Sequence, residues 1–249
     1  MHRFFLTDTP IQPGAPVDLT PIVHQVRAVL RLGVGDHVVL LDNRGGAFLA
    51  EIRALDRKSA QGFVLESVAI SGEPTVAVTL FQCSLKADKF EWVLQKGTEL
   101  GVTRFVPVVS RRSVVRPVAA LAKKAERWQA IIREAAEQCG RGRLPVLADP
   151  VEFVEALPVA EAHTPCFLPW EEAAIGSRSL GAVLDPKKDR AVNLLIGPEG
   201  GLDPAEVALA QAAGWQIVTL GPRILRAETA ALAGVTVIME RLGQLSSIP

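Results

Sequence analysis

The sequence predicts an α/β protein in two parts, a small N-terminal β-barrel followed by a domain built on a mostly parallel sheet. Three observations carry this. Residues 1–72 hold short apolar runs separated by turn residues, the punctuation of a small barrel. From Thr75 onward, apolar runs of strand length alternate with stretches of helix length, and that βα alternation implies helices on both faces of a parallel sheet. Between them, Ser71-Gly72-Glu73-Pro74 marks the change, so domains are expected at 1–72 and 73–249.

In the first part, a short amphipathic helix is expected over 21–31, with Ile22, Val26, Val29 and Leu30 on one side, leading to the turn Gly33-Val34-Gly35-Asp36. Strands at 38–41 and 47–52 flank Asp42-Asn43-Arg44-Gly45-Gly46, a hairpin turn by composition. The second part opens with a strand over 75–83 and a helix from about 88 to 100, where Phe90, Val93, Leu94 and Leu100 fall at helical spacing and Gly101 supplies the stop. A strand at 105–109 precedes a long helix over 118–138 carrying Leu121, Ala125, Trp128, Ile132 and Ala135. Apolar runs at 165–168 and 191–196 read as buried strands. Asp203-Pro204-Ala205-Glu206 combines a cap acceptor, a proline at the first helical position and a Glu at the third, so a helix starts there and runs to Gly214. A strand over 215–220 enters Gly221-Pro222, and a last helix covers 228–242.

Composition narrows the function classes. The chain has 249 residues, 49% hydrophobic, with 27 Lys+Arg against 27 Asp+Glu, which excludes disordered, collagenous and disulfide-framed classes. Cys83, Cys139 and Cys166 stand far apart, with no C-x-x-C pair and no His at ligand spacing, so neither a metal nor a disulfide frame is expected. The N-terminus reaches Asp and Pro before a signal-peptide core can form. No apolar run approaches the roughly 18 residues of a spanning helix. A cytoplasmic protein without membrane association is expected.

The zero net charge, which by itself speaks against a nucleic-acid partner, hides an uneven distribution. Lys+Arg against Asp+Glu number 7 and 8 in residues 1–75, 13 and 7 in 76–149, and 7 and 12 in 150–249. Arg111, Arg112, Arg116, Lys123, Lys124, Arg127, Arg141 and Arg143 lie between positions 111 and 143, a plausible footprint for a phosphate backbone; on charge alone a solvated helix face accounts for them equally well.

Two Gly-rich loops follow strands near the C-terminus. Gly197-Pro198-Glu199-Gly200-Gly201 leaves one apolar strand at its carboxyl end, where open α/β sheets bind ligands, and glycines let backbone approach a ligand closely. It is neither G-x-G-x-x-G nor a P-loop, and an ordinary turn fits it as well. The second loop, 220–230, precedes the last helix. Acids favour a first helical turn and Thr can cap, so Glu228 and Thr229 have a structural explanation; Arg226 is harder to explain that way.

Leu195-Ile196-Gly197-Pro198-Glu199-Gly200-Gly201, followed by Leu220-Gly221-Pro222-Arg223-Ile224-Leu225-Arg226-Ala227-Glu228-Thr229-Ala230, resembles the signature of the RsmE-type ribosomal RNA methyltransferases of the SPOUT class. Residues 89–101, Glu137-Gln138-Cys139-Gly140-Arg141, and 27–32 leading to Gly35-Asp36 continue the likeness in order along nearly the whole chain. Gly97, Phe48 and the run Pro169-Trp170-Glu171-Glu172 depart from the family pattern, and no role is assigned to the last.

The resemblance implies a PUA-like barrel that holds RNA, a SPOUT domain with a deep trefoil knot around an S-adenosylmethionine site, and a homodimer. It also implies methylation of N3 of a uridine in 16S rRNA of the small ribosomal subunit. Gly197, Pro198, Glu199, Gly200, Gly201, Leu220, Gly221, Ile224, Leu225 and Arg226 are expected to line the cofactor pocket, with Leu168 as a weaker wall. Arg226 is the expected holder of the anionic uracil or a phosphate, since a guanidinium keeps its charge. Glu228 is the expected base or orienter of Arg226. Arg3, His24, Arg31, Arg111, Arg112, Arg141 and Arg143 are the expected RNA contacts, His24 having a packing role on the barrel as its alternative. A SPOUT enzyme acting on a ribose hydroxyl or a tRNA base, and a non-catalytic RNA-binding protein, remain open at this point.

Overall fold

The computed structural model describes residues 1–86, 88–157, 164–173 and 176–246. The chain forms two compact units, Met1–Glu73 with Arg133–Leu144, and Pro74–Ile132 with Pro145–Pro249.

The first unit is a five-stranded sheet of β1 (Arg3–Phe5), β2 (Pro16–Asp18), β3 (His37–Leu41), β4 (Ala47–Leu55) and β5 (Ala60–Val68), in the order β1-β3-β4-β5-β2. β1 runs parallel to β3 and the other pairings are antiparallel. Alternate residues point inward, so Val38, Leu40, Ala50, Ile52 and Val64 form the core with Phe4, Leu19 and Val26. Two register shifts in the β4–β5 pairing bend the sheet around that core. The expected β3–β4 turn is present: Arg44 N and Gly46 N donate to Asp42 Oδ1 at 2.7 and 2.8 Å, and Asn43 and Gly45 take positive φ.

The helix expected over 21–31 is a 3-10 turn, Thr20–Ile22, followed by a π-helical turn, Gln25–Val29. Ile22 and Val26 are buried as expected, but Val29 is 61% exposed and the segment ends at Arg31 with φ 56°. Ile22 and Val26, with Val23 and Leu30 partly buried on the same core, hold the segment on the sheet, and the widened turn carries Val29 out to solvent.

The second unit is a wholly parallel sheet of β6 (Ala77–Cys83), β7 (Arg104–Val109), β8 (Val146–Leu147), β9 (Val151–Glu152), β10 (Cys166–Pro169), β11 (Ala191–Ile196) and β12 (Gln216–Val218). Its order is β12-β10-β11-β6-β7-β8, with β9 also on β7. The helices are α1 (Lys89–Glu99), α2 (Val118–Ala122), α3 (Ala125–Cys139), α4 (Phe153–Ala156), α5 (Leu180–Val183), α6 (Pro204–Ala212) and α7 (Ala227–Arg241). One face of the sheet buries Leu80, Phe105 and Leu194 against Phe90, Val93 and Leu94 of α1 and Ala231, Val235 and Ile238 of α7. The other buries Phe81, Val108 and Leu195 against Phe153 of α4 and Val207 and Ala210 of α6. The alternation of Leu80 and Phe81 to opposite faces is why these strands read as unbroken apolar runs.

The long helix expected over 118–138 is broken into α2 and α3, with Lys124 N donating to Leu121 O across the break. Ala and Lys are good helix formers, so propensity gives no sign of the break; Trp128, stacked on Phe90 with centroids 4.4 Å apart, ties α3 to α1. α3 also passes from one unit to the other at Arg133. Gly97 has a packing reason: a Cβ there would lie 2.8 Å from the Phe105 ring, so α1 approaches β7 only with glycine at that position. At α6 the expected cap forms, with Ala205 N donating to Asp203 Oδ1 at 3.0 Å and Asp203 N to Glu206 Oε2 at 3.1 Å. Among the described residues no helix is long and apolar enough to cross a membrane.

Candidate active site

The carboxyl ends of β10, β11 and β12 open onto two adjoining clefts in the second unit. The smaller, about 330 Å³, is lined by Lys89, Glu171, Gly197, Pro198, Glu199, Gly201 and residues 224–227. The larger, about 490 Å³, is lined by Trp170, Glu171 and residues 219–225. Pro169, Glu171, Ile224, Leu225 and Ala230 belong to both, so the two form one continuous depression.

The Gly-rich loops shape it. Gly201 has φ +68°, and a Cβ there would run into the Glu171 carboxylate. Gly221, at φ +111°, follows a tight turn in which its N–H donates to Thr219 Oγ1 at 3.0 Å. The loop then delivers Arg226 to the N-cap of α7, with extended backbone (φ −63°, ψ 151°) and no side-chain cap bond. Arg226 is exposed and lines the smaller cleft; its carbonyl accepts from Ala230 N at 2.8 Å, while its side chain makes no hydrogen bond or ion pair among the described residues.

Lys89, the first residue of α1, joins two carboxylates. Its Nζ lies 3.3 Å from Glu228 Oε1 and 3.7 Å from Glu199 Oε1. Glu199 Oε1 also accepts from Lys86 N at 3.0 Å. Glu228 therefore pairs with Lys89, and no bond to Arg226 is present among the described residues; its second oxygen is buried without a partner.

Other expected site residues fall in different places. Leu168, in β10, points wholly into the core, and the strand reaches the cleft through Pro169 instead, because side chains alternate along a strand. Gly200 turns toward Arg112, whose Nη1 donates to Gly200 O at 3.3 Å. Leu220 and Gly221 line the larger cleft. Arg111 and Arg112 lie 3.6 and 3.7 Å from the Asp203 carboxylate, both still solvent-exposed. Arg141 is corrected from RNA contact to internal strut: it is 2% exposed, and its Nη2 donates to Glu73 Oε1 at 2.8 Å. Arg143 is exposed, its Nη2 donating to Arg44 O at 3.0 Å, and Arg3, His24 and Arg31 are exposed in the same unit.

Lys89, Trp170 and Glu171 are among the lining residues that sequence reasoning left without a role. Lys89 is more than a hundred positions from its carboxylate partners, so no spacing links them. The position of Trp170-Glu171 just past a buried strand was the available signal. Among the described residues no cluster of His, Cys, Asp or Glu is arranged to hold a metal. Burial pushes the Cys83 thiol up to about 12, so it is a packing residue and not a nucleophile.

Residues 72–239 match the RNA methyltransferase domain family, and residues 26–65 match the RNA methyltransferase PUA domain family. A Synechocystis protein named ribosomal RNA small subunit methyltransferase E is 40% identical over 91% of this chain and 74% of its own. A Bacillus subtilis protein of the same name is 34% identical over 96% of both chains. The crystal structure of a ribosomal RNA small subunit methyltransferase E from Neisseria gonorrhoeae bound to S-adenosylmethionine superposes with a TM-score of 0.87 at 34% identity, covering 96% of this chain and 97% of that one.

Proposed function

We propose, because the chain belongs to the ribosomal RNA small subunit methyltransferase E family, that it methylates N3 of a uridine in 16S rRNA with S-adenosylmethionine as donor. The observation that carries this reading is the continuous depression at the ends of β10–β12, built from two Gly-rich loops and bordered by Arg223 and Arg226, whose side chains have no partner among the described residues.

The residues present fit the donor. The larger cleft offers apolar walls at Leu220, Pro222 and Leu225, and the indole Nε1 of Trp170, which lines it, is buried with no hydrogen-bond partner among the described residues. Held by these walls, S-adenosylmethionine would supply an activated methyl group as the electrophile for the uracil N3 anion. The chain's own work is to orient the uracil and stabilise its anion. Arg226 does this from the N-cap of α7, where its fixed fork of donors and permanent charge face the smaller cleft.

The N3 edge is hidden in a base pair, so the target uridine enters unpaired or extruded. Affinity comes mainly from phosphate contacts, through the exposed Arg3, Arg31 and Arg143 with His24 in the first unit and Arg111 and Arg112 in the second. The first unit serves as the PUA-like RNA-holding domain, and the second as the SPOUT domain, with the knot that the resemblance implies. The protein works in the cytoplasm as a homodimer; Ile224, 84% exposed on the rim of both clefts, is an apolar side chain that a second copy would cover.

Nucleoside mass spectrometry of small-subunit rRNA from a deletion strain tests the reading. Loss of one N3-methyluridine, restored by the wild-type protein, is expected. A missing 2′-O-methyl nucleoside or a change confined to tRNA would reassign the target.

A further inference from the structure

We infer that Glu199 is the group that takes the uracil N3 proton; this rests on the reading of the site as a uracil-N3 methyltransferase and adds the identity of its base. Four charged side chains line the smaller cleft, Lys89, Glu171, Glu199 and Arg226. Arg226 stays protonated and cannot accept. Lys89 is the cation held between Glu199 and Glu228. The choice falls between two carboxylates.

A general base has to be held within reach of the proton it removes, and it has to leave a lone pair open to the substrate. Glu199 meets both conditions. Its Oε1 is fixed by Lys86 N at 3.0 Å and faces Lys89 Nζ at 3.7 Å, which anchors the carboxylate to the segment leading into α1. Its Oε2 makes no hydrogen bond among the described residues, and the Glu199 side chain, 24% exposed, lines the cleft. Glu171 lies against Gly201 but accepts no hydrogen bond among the described residues, so nothing there fixes its orientation. Glu228 lines neither cleft; one of its oxygens is taken by Lys89 and the other is buried. Glu228 is accordingly a positioning residue. It holds Lys89 from the first turn of α7, and Lys89 in turn braces Glu199.

In the proton step the N3–H bond breaks and an O–H bond forms on Glu199 Oε2. The electron pair stays on N3, the anion that Arg226 faces. The carboxylic acid then returns its proton to solvent through the open mouth of the cleft.

The test compares Glu199→Gln, Glu228→Gln and Glu171→Gln by single-turnover methylation of unmodified small subunits at saturating donor. Glutamine keeps the Oε1 acceptor for Lys86 N, so the loop is preserved. Glu199→Gln is expected to slow the methyl-transfer rate by about 100-fold or more. Its Kd values for S-adenosylmethionine, by calorimetry, and for RNA, by filter binding, should stay within about threefold of wild type. A Glu199→Gln enzyme as fast as wild type overturns the inference. So does a Glu228→Gln or Glu171→Gln enzyme that loses more of its methyl-transfer rate than Glu199→Gln does, at unchanged Kd values. A wild-type enzyme that leaves no N3-methyluridine removes the parent reading and this one together, whereas an active wild type beside an unaffected Glu199→Gln removes this one alone.

Discussion

In the segment 137–141 the protein uses its charged side chains on itself, whereas in 220–226 it leaves them facing a cleft. Glu137 Oε1 accepts from Phe5 N at 3.0 Å, and Arg133, one turn earlier, donates from Nη1 to Phe5 O at 3.2 Å, so α3 supplies side chains where a neighbouring strand would supply backbone. Arg141 is buried on Glu73, whose other oxygen also accepts from Gly142 N and Arg143 N. Arg223 and Arg226, by contrast, are exposed, and their side chains make no hydrogen bond or ion pair among the described residues. Both segments carry the family resemblance equally. Partner inventory separates them: a charged residue with its bonds satisfied inside the fold supports architecture, and one held out over a cleft without a partner is available to a ligand.

Four substitutions test this contrast. Arg226→Ala is expected to lower kcat/KM about 1000-fold, with the urea midpoint unchanged, as removal of a transition-state donor requires. An equal loss of stability would place Arg226 with the scaffold. Arg141→Ala is expected to do the reverse: about 3 kcal/mol less stable in urea, the low end for breaking a buried pair because Glu73 keeps partial exposure and two other donors. The folded fraction should keep its calorimetric affinity for S-adenosylmethionine. Gly201→Val combines a side chain at φ +68° with a clash on Glu171, and should weaken that affinity by about 30-fold at a stability cost of about 2 kcal/mol.

The smallest effect is at Glu137, whose carboxyl burial holds above its ordinary value of 4.5, against the Phe5 N–H and the Arg133 guanidinium, with Glu134 adding to the rise. A raised folded-state pKa favours the protonated form, so the contribution is complete below the ordinary carboxyl range and is lost as pH rises through the shifted value. Glu137→Gln should match wild type in thermal unfolding at about pH 4 and gain on it toward neutrality. A variant that falls behind wild type as pH rises would show that the ionised carboxylate is the stabilising form.

Much of the second unit was legible because its signals are local. Periodicity placed β6, β7, β11 and α7, and the Asp203–Glu206 cap placed the start of α6. What stayed hidden depends on distant partners. The π-helical turn at Gln25–Val29 and the break before α3 are set by packing that no window of sequence contains. The Gly-rich loops and Arg226 were named from the sequence, and they border one depression. Glu228 could not be separated from Glu199 without knowing that Lys89 stands between them. The basic stretch 111–143 reads as one patch, but its arginines belong to two units, and Arg127 and Arg141 pair with Glu91 and Glu73. Counting charge along a chain overstates what a phosphate backbone can meet.

The most direct test is methylation of purified small subunits from a deletion strain by wild-type and Arg226→Ala protein, each shown to bind S-adenosylmethionine, with the rRNA digested and N3-methyluridine counted by mass spectrometry. One N3-methyluridine per subunit with wild type and almost none with Arg226→Ala is the expected result. Equal incorporation by the two proteins, or methylation at another atom, would contradict the account.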